Sequence, residues 1–208
     1  GQVYWIDLMT GLTSVNFSFD TFWNTTESKD EILFVNGSSN IYQWSGGVAT
    51  MASATVNTVT KTGTKSWAEE GFFQALAGRS ITINGVTATY TGGEGTTTLT
   101  GVSVDFSAIA ANTIVQQTVT TSANSTITGL PAAFKNALIA NLKNQIYIGS
   151  LTDRQTYVSK VNDFKDYSFT APVRLVGEGA ILTIDGTPNA FIPQESEMDI
   201  FAGQDQAY

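Results

Sequence analysis

The sequence contains neither cysteine nor histidine, and only 13% of its 208 residues are charged. Each shortage removes a class of chemistry. Without cysteine there are no thiol nucleophiles, no Cys–His dyads and no disulfide staples, so the redox compartment leaves no mark on the chain. Without histidine the Ser-His-Asp triad is ruled out, and zinc loses its usual nitrogen ligand as well as sulfur. Hard cations held on oxygen, calcium or magnesium, stay open. Ten basic residues stand against eighteen acidic ones, a formal net charge of −8, and the basic residues form no run. A phosphate backbone wants a Lys/Arg cluster, so direct nucleic-acid binding is not expected. No apolar run approaches the roughly 18 residues of a membrane helix. No basic start leads into an apolar stretch, so a signal peptide is not expected either. Gly1 stands in place of an initiator Met, which processing, trimming or excision from a longer chain would leave.

What replaces charge is Thr, Ser, Asn and Gly beside a hydrophobic content of 42%. That mixture suits strands and tight turns, and the chain reads as mostly β. Residues 2–9 and 15–23 read as strands, the second with Val15, Phe17 and Phe19 alternating as one apolar face. EILFV, NGSSN and IYQWSGG form a hairpin turned at Asn36-Gly37. From residue 48 the aromatics give way to Thr/Val/Ala alternation. SWAEEGFFQALAG, 66–78, fits a short helix or a packed loop, with Ser66 and Glu69 spaced as a capping box. SITI, Asn84-Gly85 and VTATYT make a second hairpin, TTTLTGV a strand, and TIVQQTVTTS, 113–122, one more. These strands define a small β domain over 50–122, inserted between 1–49 and 123–208. After it, 132–144 is a helix or a loop into a strand; strands follow at 144–151, 156–160, 173–176, 180–184, NAFIPQ and MDIFAG.

Two flanking segments repeat one pattern. EILFVNGSSNIYQWSGG, 31–47, and NQIYIGSLTDRQTYVSK, 144–160, each give an apolar strand, a polar turn and an aromatic-bearing return strand; AILTIDGTPNAFIPQ, 180–194, is a looser third copy. Such a unit cannot bury both faces alone and calls for stacked neighbours. The expected fold is antiparallel propeller-like or sandwich-like sheets with the small β domain inserted.

The stretch IYIGSLTDRQTYVSKVNDFKDYSF carries Tyr157, Ser159, Asn162, Asp163, Asp166, Tyr167 and Phe169 in a Y-x-S then N/G-D-x-x-D-F/Y arrangement. In this it resembles β-propeller-like virion proteins of tailed bacteriophages and prophages. INGVTATYTGGEGTTTLTGV, through Asn84, Gly85, Tyr90, Gly92, Thr98, Leu99 and Gly101, is similar to small β modules of phage tail and capsid-associated proteins. The resemblance implies a structural role in the tail or head-tail region of a virion. It implies other virion subunits as partners, homo-oligomerisation in the assembly, and no catalytic residues to carry over. A receptor- or glycan-binding module of a phage tail or bacterial surface protein is the alternative, with a glycan hydrolase behind it.

Candidate site residues follow from these readings. Ser159-Lys160 has the composition of a nucleophile pair, but neighbours on a strand point to opposite faces and would not meet. Asp153, Asp163, Asp166 and Glu178 are carboxylates among which a glycan hydrolase would need a close pair. Asp163 and Asp166 offer a weak structural calcium site, without the Asp/Asn ladder, central Gly or closing Glu of an EF-hand, and no other cofactor is expected. Gly92, Gly93 and Glu94 form a glycine-rich hairpin tip able to touch a partner. Trp5, Phe17, Phe19, Phe22, Trp23, Phe34, Tyr42 and Trp44 crowd the first quarter. Aromatics there pack a core between sheets or line an interface. The interface or ligand candidates are Trp5, Trp23, Tyr42, Trp44, Tyr157 and Tyr167.

Overall fold

A computed structural model describes residues 8–10, 12, 17–73, 79–170, 177–195 and 197–203. Sixteen strands run through them: β1 Ser18–Asn24, β2 Lys29–Val35, β3 Asn40–Trp44, β4 Val48–Ala54, β5 Thr58–Lys61, β6 Ser80–Ile83, β7 Val86–Thr89, β8 Thr98–Thr100, β9 Ile114–Gln117, β10 Thr120–Ala123, β11 Leu138–Leu142, β12 Gln145–Gly149, β13 Gln155–Val158, β14 Ala180–Thr183, β15 Thr187–Pro193 and β16 Met198–Gly203. The helical elements are 3₁₀ turns at Ala68–Glu70 and Asn124–Thr126. Among the described residues no helix is long and apolar enough to cross a membrane. The architecture is therefore mostly β, in several antiparallel sheets. The chain divides into two compact units, one around Trp44–Thr120 and one formed by Met9–Gln43 with the residues from Thr121 onward.

The first unit is a six-stranded sheet in the order β7-β6-β9-β4-β5-β8. It is partly curled, so that the chain just beyond β7 reaches β8. Beyond β7, Thr91 N–H donates to Thr100 O at 3.0 Å and Thr100 N–H to Gly92 O at 2.8 Å. These bonds satisfy backbone groups of Thr100 on the β8 edge. Alternate residues point inward, so Met51, Val59, Ile81, Ile83, Leu99 and Val115 are fully buried. Trp67 and Phe72 flank the first 3₁₀ turn and meet edge to face, centroids 4.7 Å apart, in the same core. The capping box exists on this turn: Ser66 N–H donates to Glu69 Oε2 at 2.7 Å, and Glu69 N–H to Ser66 Oγ at 3.2 Å. The β6–β7 turn is left-handed at both Asn84 (φ 49°) and Gly85 (φ 78°), as a two-residue hairpin turn requires.

The second unit holds sheets β1-β2-β3-β10 and β11-β12-β13-β14 and the β15–β16 hairpin. Phe22, Leu33, Val35 and Ile41 of the first sheet share one core with Ile139, Ile146, Ile148 and Tyr157 of the second. Strand β13 is buried on both faces, and the hairpin lies against β11 and Gly149 of β12 in the same central sheet. Gly149 permits that approach: a Cβ there would fall 2.6 Å from the Phe191 ring and 3.0 Å from Pro188.

Several expectations are corrected here. The 113–122 stretch is two strands in two different sheets, β9 in the curled sheet and β10 beside β3, so the chain changes unit inside it. Of the two readings of 132–144, the loop leading into a strand is the one found, and the strand is β11. The repeat at 31–47 and 144–160 occupies equivalent places, β2–β3 and β12–β13, in the middle of each four-stranded sheet. Its third copy is not equivalent: β14 pairs with β13 and β15 with β16, so 180–194 bridges two sheets instead of forming a hairpin. The strands read at 2–9 and 173–176 lie outside the described residues, apart from the tail of the first, where Leu8 and Met9 are not in a strand.

The connection from β10 to β11 is held by a buried amide pair. Asn136 Nδ2 donates to Asn124 Oδ1 at 2.6 Å and to Asn40 O at 3.0 Å, while Asn124 Nδ2 donates to Phe134 O at 2.8 Å. Both asparagines are fully buried. Truncating one strands the acceptors of the other, so Asn136→Ala is expected to cost on the order of 3 kcal/mol. The check is a urea titration, in which the midpoint falls with the slope unchanged.

Candidate functional site: an exposed aromatic face

The alternation of VNFSFDTFW is real, but its polarity is reversed. Phe17, Phe19 and Trp23 are 49%, 72% and 45% exposed, whereas Ser18, Asp20 and Phe22 face the central sheet. The cause is polar. Ser18 Oγ accepts from Ile139 N–H at 3.0 Å and lies 3.2 Å from Ile139 O. Asp20 Oδ2 accepts from Asn141 N–H at 2.7 Å, and Asn141 Nδ2 donates to Thr21 O at 2.6 Å. Asn144 takes Trp23 N–H at 2.9 Å and gives a hydrogen bond to Trp23 O at 2.8 Å. Facing backbones of β1 and β11 are thus satisfied through side chains. A strand that turns Ser18 and Asp20 inward must turn Phe17, Phe19 and Trp23 outward. Val15 lies outside the described residues.

On the outward face Phe19 stands opposite Phe34, Thr21 opposite Ile32 and Trp23 opposite Asp30. Phe34 stacks on Tyr42 at 5.0 Å with planes 17° apart. The result is an apolar surface across β1 and β2, continued by the Phe34–Tyr42 stack toward β3. Single exposed hydrophobics are ordinary, but a contiguous aromatic patch marks a contact surface.

The other candidates fall elsewhere. Tyr157 and Tyr167 are 3% and 1% exposed and belong to the core of the second unit, whereas Tyr42, 5% exposed, is buried in its stack with Phe34. Tyr157 meets Phe134 edge to face at 4.7 Å. Burial pushes the Tyr157 and Tyr167 hydroxyls above their ordinary value, with Asp153 and Asp163 respectively adding to it. Trp44 is half-buried, its Nε1 donating to Gln117 O at 3.0 Å. Trp5 lies outside the described residues. Gly92, Gly93 and Glu94 are half-buried, and Glu94 O accepts Ala68 N–H at 2.8 Å, so this turn is knitted to the 3₁₀ segment. Gly93 is left-handed (φ 91°), and a Cβ there would sit 2.0 Å from Thr98 O.

Ser159 and Lys160 both lie just past the end of β13, not on the strand, and their side chains have separate partners. Ser159 Oγ accepts from Ile146 N–H at 2.8 Å and donates to Lys160 O at 2.8 Å, while Lys160 Nζ pairs with Asp166 at 2.6 Å. The four carboxylates are each occupied locally. Asp153 takes Gln155 N–H, Asp163 takes Lys165 N–H, Asp166 takes Lys160 and Ser168, and Glu178 takes Thr170. Among the described residues no group of three His, Cys, Asp or Glu side chains is placed to hold a metal.

Desolvation pushes the Asp166 carboxyl up, but hydrogen bonds from Lys160 and Ser168 outweigh it and hold the group below its ordinary value of 3.8. The Asp166 hydrogen bond raises Lys160 above 10.5. A depressed carboxyl stabilises the fold above its unfolded value and loses that contribution as pH falls through the folded one. Raised Lys160 keeps its contribution below its unfolded value and loses it as pH climbs through the folded one. Melting temperature should therefore be level near neutrality, falling at the acid end below about pH 4 and again at strongly alkaline pH. Asp166→Asn should lower the neutral melting temperature by a few degrees and flatten the acid limb, read by melts across pH. No protein-family model matches this sequence, and neither a curated protein nor a solved structure matches it.

Proposed function

We propose that this protein is a non-enzymatic structural component of a tailed-phage or prophage particle, built from propeller-like sheets and holding neighbouring subunits through β surfaces. The observation that carries the reading is the outward aromatic face of β1, with Phe19 72% exposed on a strand whose other side is pinned. A fold that fixes a contiguous aromatic surface in water has a partner for it. The repeated hairpins support the propeller-like arrangement, because β2–β3 and β12–β13 take the same place in successive sheets. The virion assignment rests on the likeness of the 146–169 and 83–102 stretches to phage structural proteins.

A second reading has one observation in its favour. Trp23 is 45% exposed, and its backbone is held by Asn144, which also donates to Asn162 Oδ1 at 2.6 Å. An exposed indole on a rigidly held strand suits the face of a sugar ring, which favours a receptor- or glycan-binding module.

Sedimentation across a wide concentration range separates the two. Subunit contact through this face predicts a mass that rises with concentration, together with a blue shift of Trp emission as Trp23 leaves water. A mass fixed at one chain throughout, with emission that moves only on adding oligosaccharide, would transfer the assignment to the glycan reading.

A further inference from the structure

The second unit leaves an apolar face open at each end of its stack of sheets. At one end stand Phe19 and Trp23 on β1. At the other is the β15–β16 hairpin, whose Pro188 and Phe191 press onto Gly149 of the central sheet. Its opposite face carries Ile192 and Phe201, 47% and 52% exposed, with Ala190 directly across from Phe201. The chain thus makes the same kind of contact twice. The first sheet shares a core with the central sheet, and the hairpin lies on the central sheet through Pro188 and Phe191 at Gly149, with β11 next to both β1 and β15.

We infer that the β1–β2 outer face of one copy receives the β15–β16 outer face of a second copy, a head-to-tail contact that makes the same sheet-on-sheet step a third time. The inference rests on the proposed subunit-contact role and names its partner. Continuity of the stack is the argument. Each buried sheet face inside the unit is matched by a different apolar sheet face, never by itself. The two faces left over differ in the same way: one is broad and aromatic, the other a narrow hairpin with Ile192 and Phe201 projecting. A two-fold dimer would bury one of them and leave its counterpart wet. A head-to-tail contact uses both, and it closes into a ring or runs on as a filament according to the rotation per step.

The test uses the full chain and the variants Phe19→Asp and Phe201→Asp, both at exposed positions that leave the core intact, with melting curves to confirm it. Each variant alone should lose association by roughly tenfold or more. An equimolar mixture should recover a two-chain species and stop there, because one sound face remains on each partner. If only one substitution weakens association, or neither does, or the mixture stays monomeric, the head-to-tail contact is overturned while subunit contact itself stands. A wild-type chain that remains monomeric at every concentration overturns both.

Discussion

The side-chain seam between β1 and β11 is the constraint on which the second unit depends. Two strand edges that face each other with unmet backbone groups must join as a ladder, admit water, or find side chains. Here side chains supply the bonds: Ser18, Asp20, Asn141 and Asn144 satisfy backbone groups of Thr21, Trp23, Ile139 and Asn141. A continuous ladder would force the two sheets into one surface. The seam instead joins them edge to edge while their faces close on a common core of Phe22, Leu33, Ile139 and Ile148. It also fixes register, since sliding β1 by one residue would bring Phe19 and Thr21 to bond with β11.

Fixing the register has a cost at the surface. Inward places on β1 are spent on Ser18 and Asp20, so Phe17, Phe19 and Trp23 are left facing out. The curled unit shows the opposite solution. Its aromatics, Trp67, Phe72 and Tyr90, are inside, and its outer surface is built from threonines that bond each other, as Thr60 does with Thr98 at 2.9 Å and Thr82 with Thr118 at 2.8 Å. One unit is thus finished on its own terms, and the other ends in faces of the kind it buries elsewhere.

Features set by neighbours in sequence were legible before the structure. The Asn84-Gly85 turn, the Ser66/Glu69 box and the two equivalent hairpins each depend on residues a few positions apart. What was missed depends on distant partners. The inward turn of Ser18 and Asp20 needs β11, some 120 residues later by the separations in these bonds. Splitting 113–122 into β9 and β10 follows from Trp44 and Thr120 lying where the chain passes between units, which threonine-rich alternation does not mark. Tyr157 and Tyr167 sit in the motif that carries the likeness, yet they are core residues; their ring packing across the two sheets has no local signature. The seam could have been suspected from asparagines and an aspartate at strand positions, where such side chains are depleted unless they bond something.

The charge balance bears on what kind of contact the open faces make. A net charge of −8 opposes the approach of any acidic partner, another copy included. That repulsion acts over a screening distance of about 8 Å at physiological salt, while burial of aromatic surface acts at contact. Association through Phe19 and Trp23 is therefore governed by fit and area, with charge setting how readily the surfaces first meet. Asp30 opposite Trp23 and Asp199 opposite Ile192 stand beside the apolar faces, so a partner that covers these faces must leave both carboxylates wet or meet them with a donor. A partner that covers either face therefore gains from the apolar centre and has to keep the carboxylate beside it at the rim, in water.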